Sequence, residues 1–211
     1  MRQAILAWPF ATAAFLLGRL SVQAVPGPAA AAEPARPLST SCVGCQAEHV
    51  PGAEIERYVE VAKARSLTDQ QVRSLDVGRL NLQIALAHRG PLSAPEPRSV
   101  AEHDLVTEVY VVLSGRGTHR TGPRLVDPVR RPPDHRSVRL LNGPGHNAAD
   151  IEDAATTTLA AGDVVVIPAG TGHQFTRIDD HITYLMVRLD PDKVVPLLDA
   201  AASRRYLEQS R

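Results

Sequence analysis

Apolar positions along this chain fall into a short helical stretch, a series of brief alternating runs, and a second helical stretch near the end. Ile55, Val59 and Ala62 recur at helical spacing between Ala53 and Arg65, with charges elsewhere, and predict an amphipathic helix. Ser66-Leu67-Thr68-Asp69 reads as a turn. From Val72 to Ala87 the period becomes two. Leu80, Leu82, Ile84 and Leu86 alternate with Asn81, Gln83, Ala85 and Ala87, which predicts a half-buried strand ending at His88-Arg89-Gly90. Leu105 to Leu113 is a valine-rich strand ended by Ser114-Gly115-Arg116-Gly117, with Thr118 to Thr121 as its continuation beyond a turn. Arg124 to Ala161 is the least regular part, with Val138 to Leu141 as a short strand inside it. Val164 to Ile167, Gln174 to Ile178 and Ile182 to Leu189 complete the strands. Pro191-Asp192 then opens a helix to about Leu207. Short strands between turn signals, with helices at both ends and no internal repeat, argue for a single antiparallel barrel or sandwich.

Composition sharpens this picture only in places. An apolar content of 44% across 211 residues supports a real core, and an aromatic content of 4% predicts that this core is aliphatic. Lys+Arg and Asp+Glu are both 23, so the net charge of zero gives no pull toward nucleic acid or an anionic membrane. The first 24 residues read as an export segment. Arg2 precedes an apolar run from Ile5 to Leu17, and Val22-Gln23-Ala24 offers small residues for cleavage after Ala24. An uncleaved anchor is the other reading, and only then does the chain meet a membrane. Both readings place the folded part in the periplasm or outside the cell. Residues 25–50 form a linker, Ala/Pro-rich and disordered to Pro37, which carries Cys42 and Cys45. Gln46 occupies the place where haem attachment requires His, and no strand precedes the pair as a thioredoxin-like site requires. A zinc site would need two more ligands, with His49 the only near candidate, and a local disulfide in an oxidising compartment is the favoured reading. The remaining divisions are a helical lead-in (51–74), the barrel (75–190) and the C-terminal helix (191–211).

Chemistry concentrates at Gly162-Asp163-Val164-Val165-Val166-Ile167-Pro168-Ala169-Gly170-Thr171-Gly172-His173. An apolar run is stopped by Pro168, two glycines permit a tight turn with positive φ, and a histidine follows where a new strand begins. Gly162, Pro168, Gly170 and His173 match the spacing of the second motif of the cupin superfamily; Arg177 stands where that motif has Asn. Glu108 and Gly115 match the end of the first motif, and His103 fits as its second histidine. Ala101 occupies the first histidine's place. The chain thus resembles a small bacterial single-domain cupin over residues 75–190. The resemblance implies an all-β fold, a cupin-type double-stranded β-helix or jelly-roll barrel, with short N-terminal and C-terminal helices. It also implies a divalent metal held inside by His103, Glu108 and His173.

The residues read on their own agree. Glu108, Tyr110 and Val112 share one face of a strand, and a carboxylate on an interior face needs a cation or donors. Two imidazoles and one carboxylate with open positions suit iron, manganese, nickel or zinc, among which the sequence does not choose. Glu102, Asp104 and His88 are candidates for a fourth ligand. Tyr110 and Arg177 are the substrate-binding candidates, Arg177 on the condition that it points inward. Tyr110 also reads as core packing. No catalytic acid or base is identified. His119, His135, His146 and His181 are expected to face solvent. Arg116, Arg120, Arg124, Arg130, Arg131, Arg136 and Arg139 read as a solvated loop, placed so that it could fold over the barrel mouth as a lid.

Three functions remain open. One is a metal-dependent enzyme on a small organic molecule, by oxygenase-, isomerase- or lyase-type chemistry. Another is a non-catalytic module that binds a small ligand or metal, and the third is a metal-free scaffold. The partner in the first two is a small molecule; an exposed barrel edge could also support a homodimer.

Overall fold

The structure, a computed structural model, describes residues 41–210; the residues read as an export segment and as the Ala/Pro-rich part of the linker lie outside them. In chain order the elements are α1 (Gly52–Arg65), β1 (Gln70–Asp76), β2 (Asn81–Arg89), β3 (Val100–His103), β4 (Thr107–Gly122), β5 (Arg124–Val126), β6 (Val129–Arg130), α2 (Arg136–Leu140), β7 (Gly145–Ala148), β8 (Asp150–Glu152), β9 (Ala155–Ala160), β10 (Val164–Ile167), β11 (Gly172–Arg177), β12 (Ile182–Asp190) and α3 (Ala200–Gln209).

Strand β4 organises the rest. Its first half pairs with β12 on one side and β10 on the other; its second half pairs with β9 and β11. One sheet therefore runs β1-β2-β12-β4-β10 and the other β9-β4-β11-β3-β7-β6, every pair antiparallel. The turn expected at Ser114 to Gly117 is instead a bulge inside one continuous strand. Val112 pairs with Tyr184 and Ser114 with Thr183, so Leu113 has no opposite residue. An extra residue reverses the parity of every later side chain. Glu108, Tyr110 and Val112 are buried before the bulge, and Gly117 and His119 after it. The strand thus changes sheets while keeping its functional face inside. Gly115 makes the bend possible: its φ is 74°, and a Cβ there would lie 2.0 Å from the His181 carbonyl oxygen.

Strand β2 is buried on both faces rather than one. Ala85 and Ala87 face the barrel interior, while Leu86 and Ile84 pack under Tyr58 and Val61 of α1 and Leu207 of α3. The short side chains leave room inside for larger ones. The interior is not purely aliphatic: Tyr110, Phe175 and Tyr184 join it, with Tyr110 and Tyr184 ring centroids 4.5 Å apart. The few aromatic residues are spent where area matters most.

Other expectations need correction. Residues 70–76, within the supposed helical lead-in, are strand β1. Val138 to Leu141 does not form a strand; the segment 136–140 is a helical turn in which His135 caps Ser137. The C-terminal helix does not begin at Asp192 but at Ala200, after Asp199 accepts the Ala202 N–H at 2.7 Å. Pro196, which has no N–H to donate, lies in the intervening stretch. Of the two glycines that follow Pro168 only Gly170 has positive φ, 78°; Gly172 is in β11, where a Cβ would lie 2.5 Å from Leu125.

The bulge gives a direct test. Gly115→Ala is expected to cost about 2 kcal/mol or more, from left-handed strain and the carbonyl clash. A denaturation midpoint equal to wild type would show that the bend does not depend on this glycine.

Candidate metal centre

Three elements deliver the central side chains. His103 ends β3, Glu108 lies in the first half of β4, and His173 follows the Gly170 turn into β11. His173 pairs in register with Ala101, and the Gly170 N–H donates to the His103 carbonyl at 2.8 Å, so the turn and β3 are fixed to each other. The Nε2 atoms of His103 and His173 lie 3.7 and 3.4 Å from Glu108 Oε2. All three side chains are buried, and their ligand atoms lie within 4.8 Å of one another.

The proton positions decide what this cluster can hold. His173 Nδ1 sits 3.1 Å from the Thr171 carbonyl oxygen, which only accepts, so Nδ1 carries the proton. Nε2 then presents a lone pair toward a carboxylate oxygen, an arrangement that needs a cation between them. His103 differs. Arg131 Nη1 donates to its Nδ1 at 3.5 Å, which leaves the ring proton on Nε2, facing Glu108. To hold a metal at that Nε2, the neutral ring would have to carry its proton on Nδ1 instead. The donor set fits a divalent ion of the transition series.

Glu108 is ionised for a reason visible in its surroundings. Burial alone would raise its pKa. The Arg188 guanidinium, the strongest of the opposing influences, outweighs that and holds it well below the usual carboxylate range. Arg188 Nε donates to Glu108 Oε1 at 2.8 Å and Arg188 Nη2 to Asp69 at 2.7 Å. The Tyr110 hydroxyl donates to Glu108 Oε2 at 2.8 Å; burial, then the neighbouring carboxylate, pushes its pKa well up, so it stays a donor. Burial lowers the pKa of His173 and takes that of His103 to about 3, so both rings are neutral at pH 7.

The other candidates go elsewhere. Arg177 points outward, its side chain 68% exposed and paired with Asp179, so the condition for a substrate role is not met. Glu102 and Asp104 turn to the other side of β3, where His146 bonds Glu102 at 2.8 Å and Arg130 bonds Asp104 at 2.7 Å. His88 contacts Thr183 and stacks near His181. Tyr110 does line the cavity at the cluster.

Sequence reasoning missed three residues. His119 does not face solvent. The parity change at Leu113 turns it inward, 2% exposed, with its Nε2 buried and unpartnered among the described residues. Its ring lies 6.4 Å from that of His173, outside the ligand set. Arg188 follows the same period-two pattern as Ile182, Tyr184 and Met186, which was a readable signal. Arg131 belongs to the loop expected to be solvated, yet it is 7% exposed and lines the cavity with Arg136, Ser137 and Asn142. Part of that loop does lie against the barrel mouth.

No family model and no curated protein matches the chain. Solved structures with similarity include a Bacillus halodurans protein at 18% identity, covering 72% of this chain and 86% of that one, with a TM-score of 0.39. A cupin protein from Bacteroides fragilis is 18% identical, covers 61% and 72%, and has a TM-score of 0.32. A Cupin 2 conserved barrel domain protein from Salinispora arenicola is 16% identical, covers 67% and 82%, and has a TM-score of 0.32. These values are low, and the fold is defined by the chain's own strand order and register. Two antiparallel sheets sharing one bent strand, with His103, Glu108 and His173 meeting inside, make it a jelly-roll barrel.

Two outcomes follow. Arg188→Met strands Glu108 and Asp69 without their cation, and is expected to cost about 3–5 kcal/mol in denaturant unfolding; a loss below about 1 kcal/mol would contradict the pairing. Burial takes His119 to a pKa of about 3, from 6.5 in the unfolded chain. The unfolded state therefore takes up the proton first. The stability is complete above pH 6.5 and is lost as pH falls toward 3. His119→Phe should flatten that part of the pH profile, and an unchanged slope would count against it.

Proposed function

We propose that this protein is an exported metal-binding barrel that acts on a small organic molecule. The observation that carries the reading is the convergence of His173 Nε2 on an ionised Glu108 oxygen, 3.4 Å apart, in a buried cluster with His103. A cavity of about 320 Å³ opens onto these three residues. That is within the size of a small-ligand site. A bound divalent ion would supply Lewis-acid polarisation of a carbonyl or, if redox-active, one-electron chemistry.

The chain's own residues have clear tasks in this reading. Arg188 and Tyr110 orient Glu108 and keep it ionised, and the Thr171 carbonyl fixes the tautomer of His173. Phe175, Tyr184 and Ile167 fill the barrel interior and exclude bulk water. Export is supported by the N-terminal pattern of Arg2 and Ile5 to Leu17, and by Cys42 and Cys45, which are joined as a disulfide. Among the described residues no helix is long and apolar enough to cross a membrane.

One observation favours a second reading, a non-catalytic binder. Tyr110, the proton carrier closest to Glu108, is held protonated and already donates its proton, so it is no general base at neutral pH. Oxygen uptake and product analysis with small carbonyl and phenolic compounds separate the two.

Elemental analysis of purified protein tests both. Wild type should retain close to one transition-metal ion per chain, and Glu108→Gln and His173→Ala should bind it about tenfold or more weakly. Metal absent from wild type after incubation with iron, manganese, nickel and zinc would overturn the proposal.

A further inference from the structure

The arginine and carboxylate side chains along the cavity do not balance: four arginines face two carboxylates. Arg188 is met by Glu108 and Asp69. Arg89 and Arg131 line the same cavity, and among the described residues neither forms an ion pair with a carboxylate. Their uses differ. Arg131 spends its N–H groups on neutral acceptors: Asn147 Oδ1 at 2.7 Å, the Glu102 carbonyl at 3.1 Å, the His146 carbonyl at 2.8 Å and His103 Nδ1. Arg89 donates only its Nε, to the Tyr184 hydroxyl at 3.1 Å, and its guanidinium carbon lies 5.6 Å over the Phe175 ring. Among the described residues both Nη atoms of Arg89 are left without a hydrogen-bond partner. A guanidinium held by its Nε and by an aromatic face keeps a fixed orientation and presents a two-pronged donor.

We propose that the cavity's ligand is a small organic monocarboxylate whose carboxylate is clamped by the two Nη atoms of Arg89. This rests on the reading of the barrel as a small-molecule site and names the substrate class. Two N–H donors in one plane match a carboxylate bidentately. Phosphate has the same oxyanion chemistry but carries more charge and asks for more donors, and Arg131 has nearly exhausted its own. Arg131 contributes charge at longer range, and Arg136 stands exposed at the rim. The ring of Tyr110 and the thioether of Met186, which line the cavity, suit the carbon skeleton. The carboxylate end is thereby fixed at Arg89, and the remainder of the molecule extends toward His103 and His173, which share the cavity.

Calorimetric titration of the full chain tests this with propionate, 2-oxobutanoate and benzoate, each against its primary amide, and with inorganic phosphate. At least one acid is expected to bind wild type about tenfold or more tightly than its amide. Arg89→Gln should abolish that preference, and Arg89→Lys should restore part of it, with metal content equal to wild type in both. Acids and amides binding alike to wild type would overturn the proposal without relying on any variant. So would phosphate displacing the acids as strongly as they bind, or full acid preference in Arg89→Gln. Repeating the titration on chelator-treated protein separates the two readings. Acid preference that survives chelation, with no metal retained by untreated protein, sinks the metal site alone; retained metal without acid preference sinks the carboxylate clamp alone.

Discussion

An ionised carboxylate inside a barrel is unstable unless something pays its desolvation, and here Arg188 does so from the facing strand. Arg188 and Glu108 are opposite each other in the β12–β4 register, and neither is exposed beyond 1%. The pairing asks three things of the fold. Glu108 and Arg188 must share the inner face, β12 and β4 must be neighbours, and Asp69 must arrive from the segment before β1 to take the second prong of the guanidinium. Without the cation Glu108 would take up a proton, and its oxygen would no longer be an anionic acceptor facing two imidazoles. The site's chemistry and the sheet's register are therefore one constraint.

The bulge at Leu113 extends that constraint through the second sheet. Strict alternation along β4 would carry one set of side chains inward in the first half and deliver the wrong set in the second. One unpaired residue at the bend corrects the parity, so the aromatic and imidazole groups from β4 and β11 meet the tyrosines of β4 and β12. Tyr110 lies at the junction. Its ring packs against Tyr184 and its hydroxyl holds Glu108, so one residue serves packing and positioning together.

The sequence carried a large part of this. An alternating pattern marked β2, and short apolar or β-prone runs between turn signals marked β10, β11 and β12, within a residue or two. The spacing of Gly162, Pro168, Gly170 and His173 located the turn before β11, and Glu108 and His103 were found from one strand's face and a partial motif. What failed had physical causes. A bulge leaves no compositional trace beyond glycine, so the parity of His119 was read from the wrong side. Arg177 follows the register shift between Phe175 and Arg177, which turns it outward. Arg131 looked solvated because its neighbours are arginines and prolines, and only tertiary contact with β3 and β7 shows that its charge is buried.

The departure at Ala101 also acquires a meaning in the folded chain. Ala101 lies across from His173 and lines the cavity, where the resemblance would put another imidazole. A methyl group there provides no donor, so the protein offers three ligand atoms rather than four, all on one side of the cluster. An ion held by these three residues would keep positions free of protein ligands for a small molecule. A small acid with a second oxygen near its carboxylate could occupy more than one of them while Arg89 holds the other end. A metal held at His103 Nε2 would require the ring proton on Nδ1, facing the Arg131 N–H that donates there. Loss of a histidine and the surplus of arginine charge thus point to the same occupant.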